Sequence, residues 1–251
     1  MKLKSKGILK KKSKEGNYFL FTFELDSPIP LMPGQFLMLT DVESIDLFLP
    51  RPFSPLYVYD RTLELLIKPV GKLTNLMVGY EPGKEMIFIG PLGKMIDVEK
   101  KGVLIAGGIG IAPLFFQSFF MEGGFFFIGG NNRNEVYGVE KLKSRGFEVF
   151  VSTNDGSSGK RGFVTDAFEE FLKKSPEKLR GLKAFSCGPK EMLKRMKEIG
   201  NSYGINVFFY LEERMGCGMG GCKGCAIETN KGYKLVCVDG PVFRADEVII
   251  D

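Results

Sequence analysis

The chain has no histidine and no tryptophan. Without imidazole, Ser-His-Asp hydrolysis, HExxH zinc proteolysis and Rieske-type ligation are excluded, because each needs a ring nitrogen as base, relay or metal ligand. No window approaches the roughly 20 apolar residues that span a bilayer, and the start has no apolar segment of the secretory kind. A soluble, cytoplasmic protein with no membrane span is the expectation. Any chemistry must therefore come from carboxylates, lysines, thiols or bound cofactors, and cofactors supply the reactivity that side chains lack.

What is present can bury a core: 251 residues, 44% hydrophobic and 26% charged. At roughly 100 to 200 residues per domain the length suggests about two domains. The 32 glycines and 13 prolines argue for a turn-rich, strand-rich or α/β chain and against an all-helical one. Net charge is +5, but seven lysines fall within the first 14 residues. Interleaved with Leu3, Ile8 and Leu9, they read as the solvated face of a strand rather than a nucleic-acid or membrane patch, so no nucleic acid partner is expected.

The rhythm of the sequence divides it in three. Residues 1–98 read as short strands (Tyr18 to Leu25, Gln35 to Leu39, Phe53 to Tyr59, Leu63 to Val70, Glu85 to Ile89) separated by Pro/Gly turns, with one helical turn from Leu73 to Val78. That pattern predicts a small antiparallel β-barrel. Over 99–208 it changes to strand, glycine turn, helix, strand: Val103 to Ala106, Gly107 to Gly110, an apolar stretch from Ile111, then Phe125 to Ile128. Further strands at Glu148 to Ser152, Ala184 to Ser186 and Val207 to Leu211, with helices around Ala167 to Leu172 and Pro189 to Ile199, predict a parallel α/β sheet. Residues 209–251 are different again, with four of the five cysteines among closely spaced glycines and few large apolar groups.

Cys217, Cys222, Cys225 and Cys237 have the spacing C-x4-C-x2-C with a distant fourth cysteine. In a reducing compartment clustered thiols are metal ligands before they are disulfides. The spacing is that of plant-type [2Fe-2S] ligation, and the interspersed glycines allow the tight turns and backbone N–H donors that such a cluster needs. Zinc is the rival, although zinc ribbons present two C-x2-C pairs on separate knuckles. Cys187, in Cys187-Gly188-Pro189, is either a buried core thiol or a residue at the carboxyl edge of the sheet, where ligands bind.

Several segments together resemble one family. Arg51-Pro52-Phe53-Ser54 resembles the flavin motif of ferredoxin reductase-like proteins, Gly107-Gly108-Ile109-Gly110-Ile111-Ala112-Pro113 their nucleotide loop, and Cys187-Gly188-Pro189 their C-G-P. With Glu212 to Gly218 and Cys237 to Phe243, the chain resembles the electron transfer subunits of NAD-linked, two-flavin (class 1B) dihydroorotate dehydrogenases. The resemblance implies a FAD-binding barrel, an NAD-binding α/β domain and a small [2Fe-2S] domain. It implies FAD against Arg51, Pro52, Phe53 and Ser54, and against Ile67, Lys68, Pro69, Gly71 and Thr74. It implies NAD(H) at Gly107, Gly108, Gly110, Asp155, Cys187, Gly188 and Pro189, and electron transfer through cofactors with no side chain acting as catalytic acid or base. The implied partner is an FMN-containing catalytic subunit of pyrimidine biosynthesis, two copies of each chain forming a heterotetramer. Small flavin/iron-sulfur subunits of ferredoxin:NADP oxidoreductase or sulfide dehydrogenase complexes share the layout, and a zinc-stabilised binding module is the alternative from another class. Asp155 would repel the 2'-phosphate of NADP and Lys160 and Arg161 would attract it, so the sequence leaves the choice of dinucleotide open.

Overall fold

A computed structural model of the chain describes residues 3–41 and 49–250. The lysine-rich start is strand β1 (Leu3–Glu15), paired antiparallel with β2 (Tyr18–Leu25). Lys4, Lys6 and Lys10 point outward as expected, but Ile8 shares their face while Ser5, Gly7 and Leu9 turn inward, because strict period-2 alternation puts even positions in solvent. The sheet continues with β3 (Phe36–Thr40), β4 (Arg51–Phe53), β5 (Tyr57–Tyr59), β6 (Thr62–Ile67), helix α1 (Lys72–Val78) and β7 (Glu85–Leu92). Ser54, Pro55 and Leu56 interrupt the single strand expected from Phe53 to Tyr59.

That interruption shapes the barrel. The seven strands run in the order β4-β3-β7-β1-β2-β6-β5, so the consecutive strands β4 and β5 are the two edges of the sheet. Laid flat, six inter-strand spacings would separate them by about 29 Å. The link from Phe53 to Tyr57 reaches at most about 14 Å, so the sheet has to curl on itself. Phe21, Phe23, Leu37, Leu65, Met86 and Phe88 fill its interior.

The second sheet comprises β8 (Lys101–Gly107), β9 (Gly123–Gly130), β10 (Phe147–Thr153), β11 (Lys160–Arg161), β12 (Ala184–Cys187) and β13 (Val207–Tyr210). These are parallel in the order β11-β10-β9-β8-β12-β13. Helices α2 (Ile111–Ser118) and α3 (Val139–Ser144) cover one face, α4 (Val164–Lys174) and α5 (Lys190–Tyr203) the other. Consecutive residues of β8 split between the faces: Leu104 and Ala106 pack under α2, Val103 and Ile105 under α4 and α5. Helix α3 escapes sequence periodicity because Leu142 is its one buried residue.

Every residue of α2 is buried, as befits a helix covered on all sides. Phe115 joins the core under the sheet, with Tyr18, Leu56 and Leu66 of the barrel segment, while Phe116 enters the barrel's own core. Barrel and sheet therefore share a helix. The last segment adds a hairpin, β14 (Ala226–Thr229) and β15 (Gly232–Leu235), a short turn of helix α6 (Val236–Asp239), and β16 (Val242–Arg244), which pairs antiparallel with β13. Cys225 and Cys237 pack with Phe36, Met38 and Leu92 of the barrel. No helix among the described residues is long and apolar enough to cross a membrane.

Candidate functional site

Two cavities meet where barrel, sheet and C-terminal segment converge. The first, about 660 Å³, is lined from the barrel side by Arg51, Pro52, Phe53, Ser54, Ile67, Lys68, Gly71 and Thr74, and from the other side by Ile109, Cys187 and residues 210–215. Of the residues expected around a flavin, Pro69 alone lies off this lining. Arg51 is exposed, its guanidinium donating to the Leu49 carbonyl at 2.8 Å. Thr74 shapes the start of α1: its hydroxyl accepts from the Gly71 and Val70 N–H groups at 2.9 and 3.1 Å. Phe53, Leu66, Ile109 and Met215 give the cavity apolar walls, and Arg51, Lys72 and Arg214 bring cations to it. Apolar surface with guanidinium groups suits a flat ring system carrying a diphosphate, so the lining fits FAD.

The second cavity, about 600 Å³, opens at the carboxyl ends of the parallel strands. The order of the sheet reverses between β8 and β12, and such a switch point is where open α/β sheets bind ligands. Gly107 ends β8, Gly108 and Gly110 follow it, and Gly188 and Pro189 follow β12; all five line the cavity. The two loops interlock. A Cβ on Gly110 would stand 2.3 Å from the Cys187 carbonyl oxygen, and one on Gly107 would stand 2.9 Å from Pro189 Cδ. Gly108 takes φ +56 with nothing within 4 Å of its Cβ position, open to the cavity. Helix α2 starts here without an acidic residue in its first turn; the Ile111 N–H turns back to the Gly108 carbonyl and Pro113 carries none, so a phosphate would be met by the glycine turn itself.

The cavity continues past Gly129, Gly130 and Asn131 to Asn154. Asp155 lies off this lining, in contrast to its expected place: its Oδ1 accepts from the Ser157 N–H at 2.8 Å and from Ser157 Oγ at 2.6 Å, which ties the loop to itself.

Lys68, Ile109 and Glu212 line both cavities, so occupants of the two would meet there. Lys68 Nζ bonds Glu135 Oε1 at 2.6 Å, and Asn131 donates to Oε2 through its backbone N–H at 3.0 Å and its Nδ2 at 3.1 Å. Burial pushes the Glu135 carboxyl up, but the Asn131 and Lys68 bonds outweigh it and the net shift is downward. Tyr18 also reaches across, donating to the Glu135 carbonyl at 3.0 Å. This clamp ties barrel to sheet beside the cavities. Lys68→Met is expected to destabilise the chain by about 2 kcal/mol, below the range for a fully buried pair because Lys68 is partly exposed. The loss should be present above the unfolded carboxyl range near 4.3 and fade as pH falls through the lowered value of Glu135. Urea midpoints at pH 7 and pH 3 check it.

Glu212 is the second charged group at the junction; its side chain is exposed where it lines the cavities, and desolvation by the protein around it raises its carboxyl above the ordinary range. A raised acid contributes its full stability below the unfolded value and loses it as pH rises through the folded one. Glu212→Gln is therefore expected to raise stability at pH 8 and leave it unchanged at pH 4; equal midpoint shifts at both pH values would refute this. Cys187 is buried, and burial, followed by the Glu212 charge, pushes its thiol well above its usual range. It is an inert packing group on the wall of the first cavity.

The four remaining thiols stand as two pairs. The Cys222 and Met219 N–H groups donate to Cys217 Sγ at 3.4 and 3.3 Å, and the Cys237 N–H to Cys225 Sγ at 3.5 Å. Those two backbone donors pull the Cys217 thiol down to about 7. Two pairs with backbone N–H groups on sulfur suit a two-iron cluster, in which each iron takes two protein ligands. Gly218 and Gly220 supply left-handed turns here, φ +68 and +85, with Gly218 pressed against Met38 of the barrel.

The site also contains residues that sequence spacing did not single out: Glu135, Asn131 and Tyr210. Tyr210 is buried and donates to Gln117 Oε1 at 2.9 Å, bracing the strand that leads into Glu212. A polar residue on an otherwise apolar strand was the available signal.

The same fold occurs in solved structures. A chain of an NADH-dependent reduced ferredoxin-NADP oxidoreductase, studied for flavin-based electron bifurcation, superposes with a TM-score of 0.85 at 25% identity, covering 98% of this chain and 90% of that one. The ferredoxin reductase of carbazole 1,9a-dioxygenase gives 0.71 at 16% identity, over 83% of this chain and 69% of its own. Residues 212–249 match the family model of the iron-sulfur cluster binding domain of dihydroorotate dehydrogenase B. Fold and site together define a ferredoxin reductase-like oxidoreductase with an iron-sulfur segment.

Curated relatives narrow the class. The dihydroorotate dehydrogenase B (NAD(+)) electron transfer subunit of Caldanaerobacter subterraneus is 36% identical over 234 residues, 91% of each chain. Its homolog from Aquifex aeolicus is 35% identical over 94% of each. The chain belongs to this family of electron transfer subunits.

Proposed function

We propose that the chain carries electrons between NAD(H) and an FMN-containing dihydroorotate dehydrogenase catalytic subunit, in pyrimidine biosynthesis. The observation that carries this is the shared wall of the two cavities, with the paired thiols on the barrel beside them. FAD exchanges electron pairs with nicotinamide and single electrons with a [2Fe-2S] cluster, chemistry that no side chain here supplies.

The chain's own residues bind and orient. Arg51, Phe53, Ser54, Ile67, Lys68, Gly71 and Thr74 would hold the flavin. The interlocked loops Gly107 to Gly110 and Cys187 to Pro189 would hold the dinucleotide phosphates at the start of α2. The Lys68–Glu135 clamp and helix α2 fix barrel against sheet, so groups bound in the two cavities would be held next to each other without a search. Cys217 with Cys222, and Cys225 with Cys237, would each ligate one iron. Labour divides as barrel 1–98, dinucleotide domain 99–208 and cluster segment 209–251.

Assembly with a catalytic subunit is supported by relatives named as electron transfer subunits; two copies of each chain, in the cytoplasm, complete the reading. The ferredoxin-NADP oxidoreductase alternative draws on a structural relative at 25% identity, against curated electron transfer subunits at 35–36%. The decisive experiment is an anaerobic absorbance titration of the FAD- and iron-reconstituted chain with NADH. Bleaching of both flavin and iron-sulfur bands is expected. A protein that takes up zinc, no flavin and no iron, and ignores NADH, would refute the reading.

A further inference from the structure

We propose that Lys12 is a positioning residue for the flavin site: it locks the far end of helix α1, whose first turn walls the cavity. The inference rests on the reading of the first cavity as the FAD site.

Lys12 departs from the solvated face expected for the lysine-rich start. Strand β1 carries a bulge: Leu9 stands opposite Phe23 and Lys11 opposite Thr22, so Lys10 is the extra residue and Lys12, not Lys11, faces Phe21. Directly opposed residues of an antiparallel pair share a face, and Phe21 belongs to the barrel core together with Leu73 and Met77 of α1. The bulge thus re-aims one lysine from solvent toward the helix that packs on that core.

Its ammonium is fully engaged. Lys12 Nζ donates to the Val78 carbonyl at 2.8 Å and the Tyr80 carbonyl at 2.7 Å, and lies 3.3 Å from Glu81 Oε1, with 18% of the side chain exposed. Val78 ends α1, where carbonyls lack helical partners and form the negative end of the dipole, so a cation both satisfies and attracts them. Seven residues are too few for a helix to hold itself, and α1 has two buried residues, Leu73 and Met77, to keep it in place. Val70, Gly71, Lys72, Leu73 and Thr74, at its other end, line the cavity; Lys12 does not, and about 10 Å of helix separates the two ends. Releasing Val78 and Tyr80 therefore lets α1 fray and leaves the cavity wall formed for a smaller fraction of the time, which lowers apparent affinity by that fraction.

The test is a titration of the full chain, freed of flavin, with FAD, accompanied by urea midpoints and amide hydrogen exchange on the same preparations. Lys12→Met keeps the stem and removes the ammonium. It is expected to weaken FAD about 10-fold and to speed exchange of the amides of residues 75–80 by a similar factor. Lys12→Arg keeps a cation with donors and should stay within about 3-fold of the unaltered chain. Lys4→Met removes an exposed charge from the same strand and should stay within about 2-fold. Linkage supplies a check that needs no variant: FAD added to the unaltered chain should slow exchange at 75–80, beyond the residues that line the cavity. A lower urea midpoint in Lys12→Met with FAD affinity unchanged would make Lys12 a stability residue and overturn the proposal, as would unchanged exchange at 75–80 when FAD binds. If the unaltered chain binds no FAD, the reading of the cavity itself fails and the proposal with it.

Discussion

Replacing Cys225 by serine is expected to abolish single-electron output while sparing reduction of the flavin by NADH. A serine hydroxyl is a poor substitute for a thiolate toward iron, and even residues that only orient a metal ligand are worth 10- to 100-fold. A drop of at least about 100-fold in cytochrome reduction is therefore expected, with transfer to a two-electron dye kept within about 2-fold. Loss of the iron-sulfur absorbance should accompany it. Cys225 is 2% exposed and packs with Met38 and Leu92, so its loss should also loosen residues 212–249 from the barrel. Cys222 is exposed and outside that core. Cys222→Ser should thus lose the cluster with a smaller fall in thermal midpoint, which separates ligation from packing. Retention of the cluster absorbance in both variants would remove these thiols from the ligand set.

Much of this site was legible because its chemistry needs rare local patterns. The C-x4-C-x2-C run and the glycine loops are dictated by backbone geometry, so they are visible within a dozen residues. Strand cores were legible for the same reason: Phe21, Phe23 and Leu25 alternate with exposed or half-buried neighbours, and the structure buries all three. Ligand-facing residues supplied by long-range packing were not legible. Glu135 and Lys68 are 67 positions apart and meet only because α2 joins the barrel to the sheet. Asp155 is the opposite case. Its position after a strand matches an acid on a ribose, yet the Ser157 bonds two residues on draw it into its own loop, as Asp readily does in turns. The break at Ser54–Leu56 was legible but not read: Pro55 falls inside the expected strand from Phe53 to Tyr59, where a residue without an N–H interrupts a ladder. Only the sheet order shows that this break lets the two edges meet.

The interlock of the two loops leads to the second large effect. Gly110→Ala is expected to cost about 2–4 kcal/mol of stability and to weaken NADH binding by at least about 10-fold. The added methyl would lie 2.3 Å from the Cys187 oxygen, 2.6 Å from its carbonyl carbon and 2.9 Å from the Gly188 nitrogen. All three are backbone atoms, so no flexible side chain can yield. Strand β12 is itself held in register by β8 and β13, from Ala184 opposite Val103 to Cys187 opposite Ala106. Relief must come from lifting the glycine turn and the start of α2, which would displace the proposed phosphate site, and a shift near 1 Å can cost far more than the strain itself. Gly108→Ala provides the contrast. It meets nothing within 4 Å, and its φ of +56 imposes a penalty of roughly 1–2 kcal/mol. If the steric interlock positions the phosphate site, Gly110→Ala should lose NADH affinity beyond what its stability loss explains, and should do so with NAD+ as well. Equal affinity losses in the two variants would mean that left-handed backbone, rather than the contact between the loops, sets the site. Urea midpoints and NAD+ titrations on the same preparations decide between them.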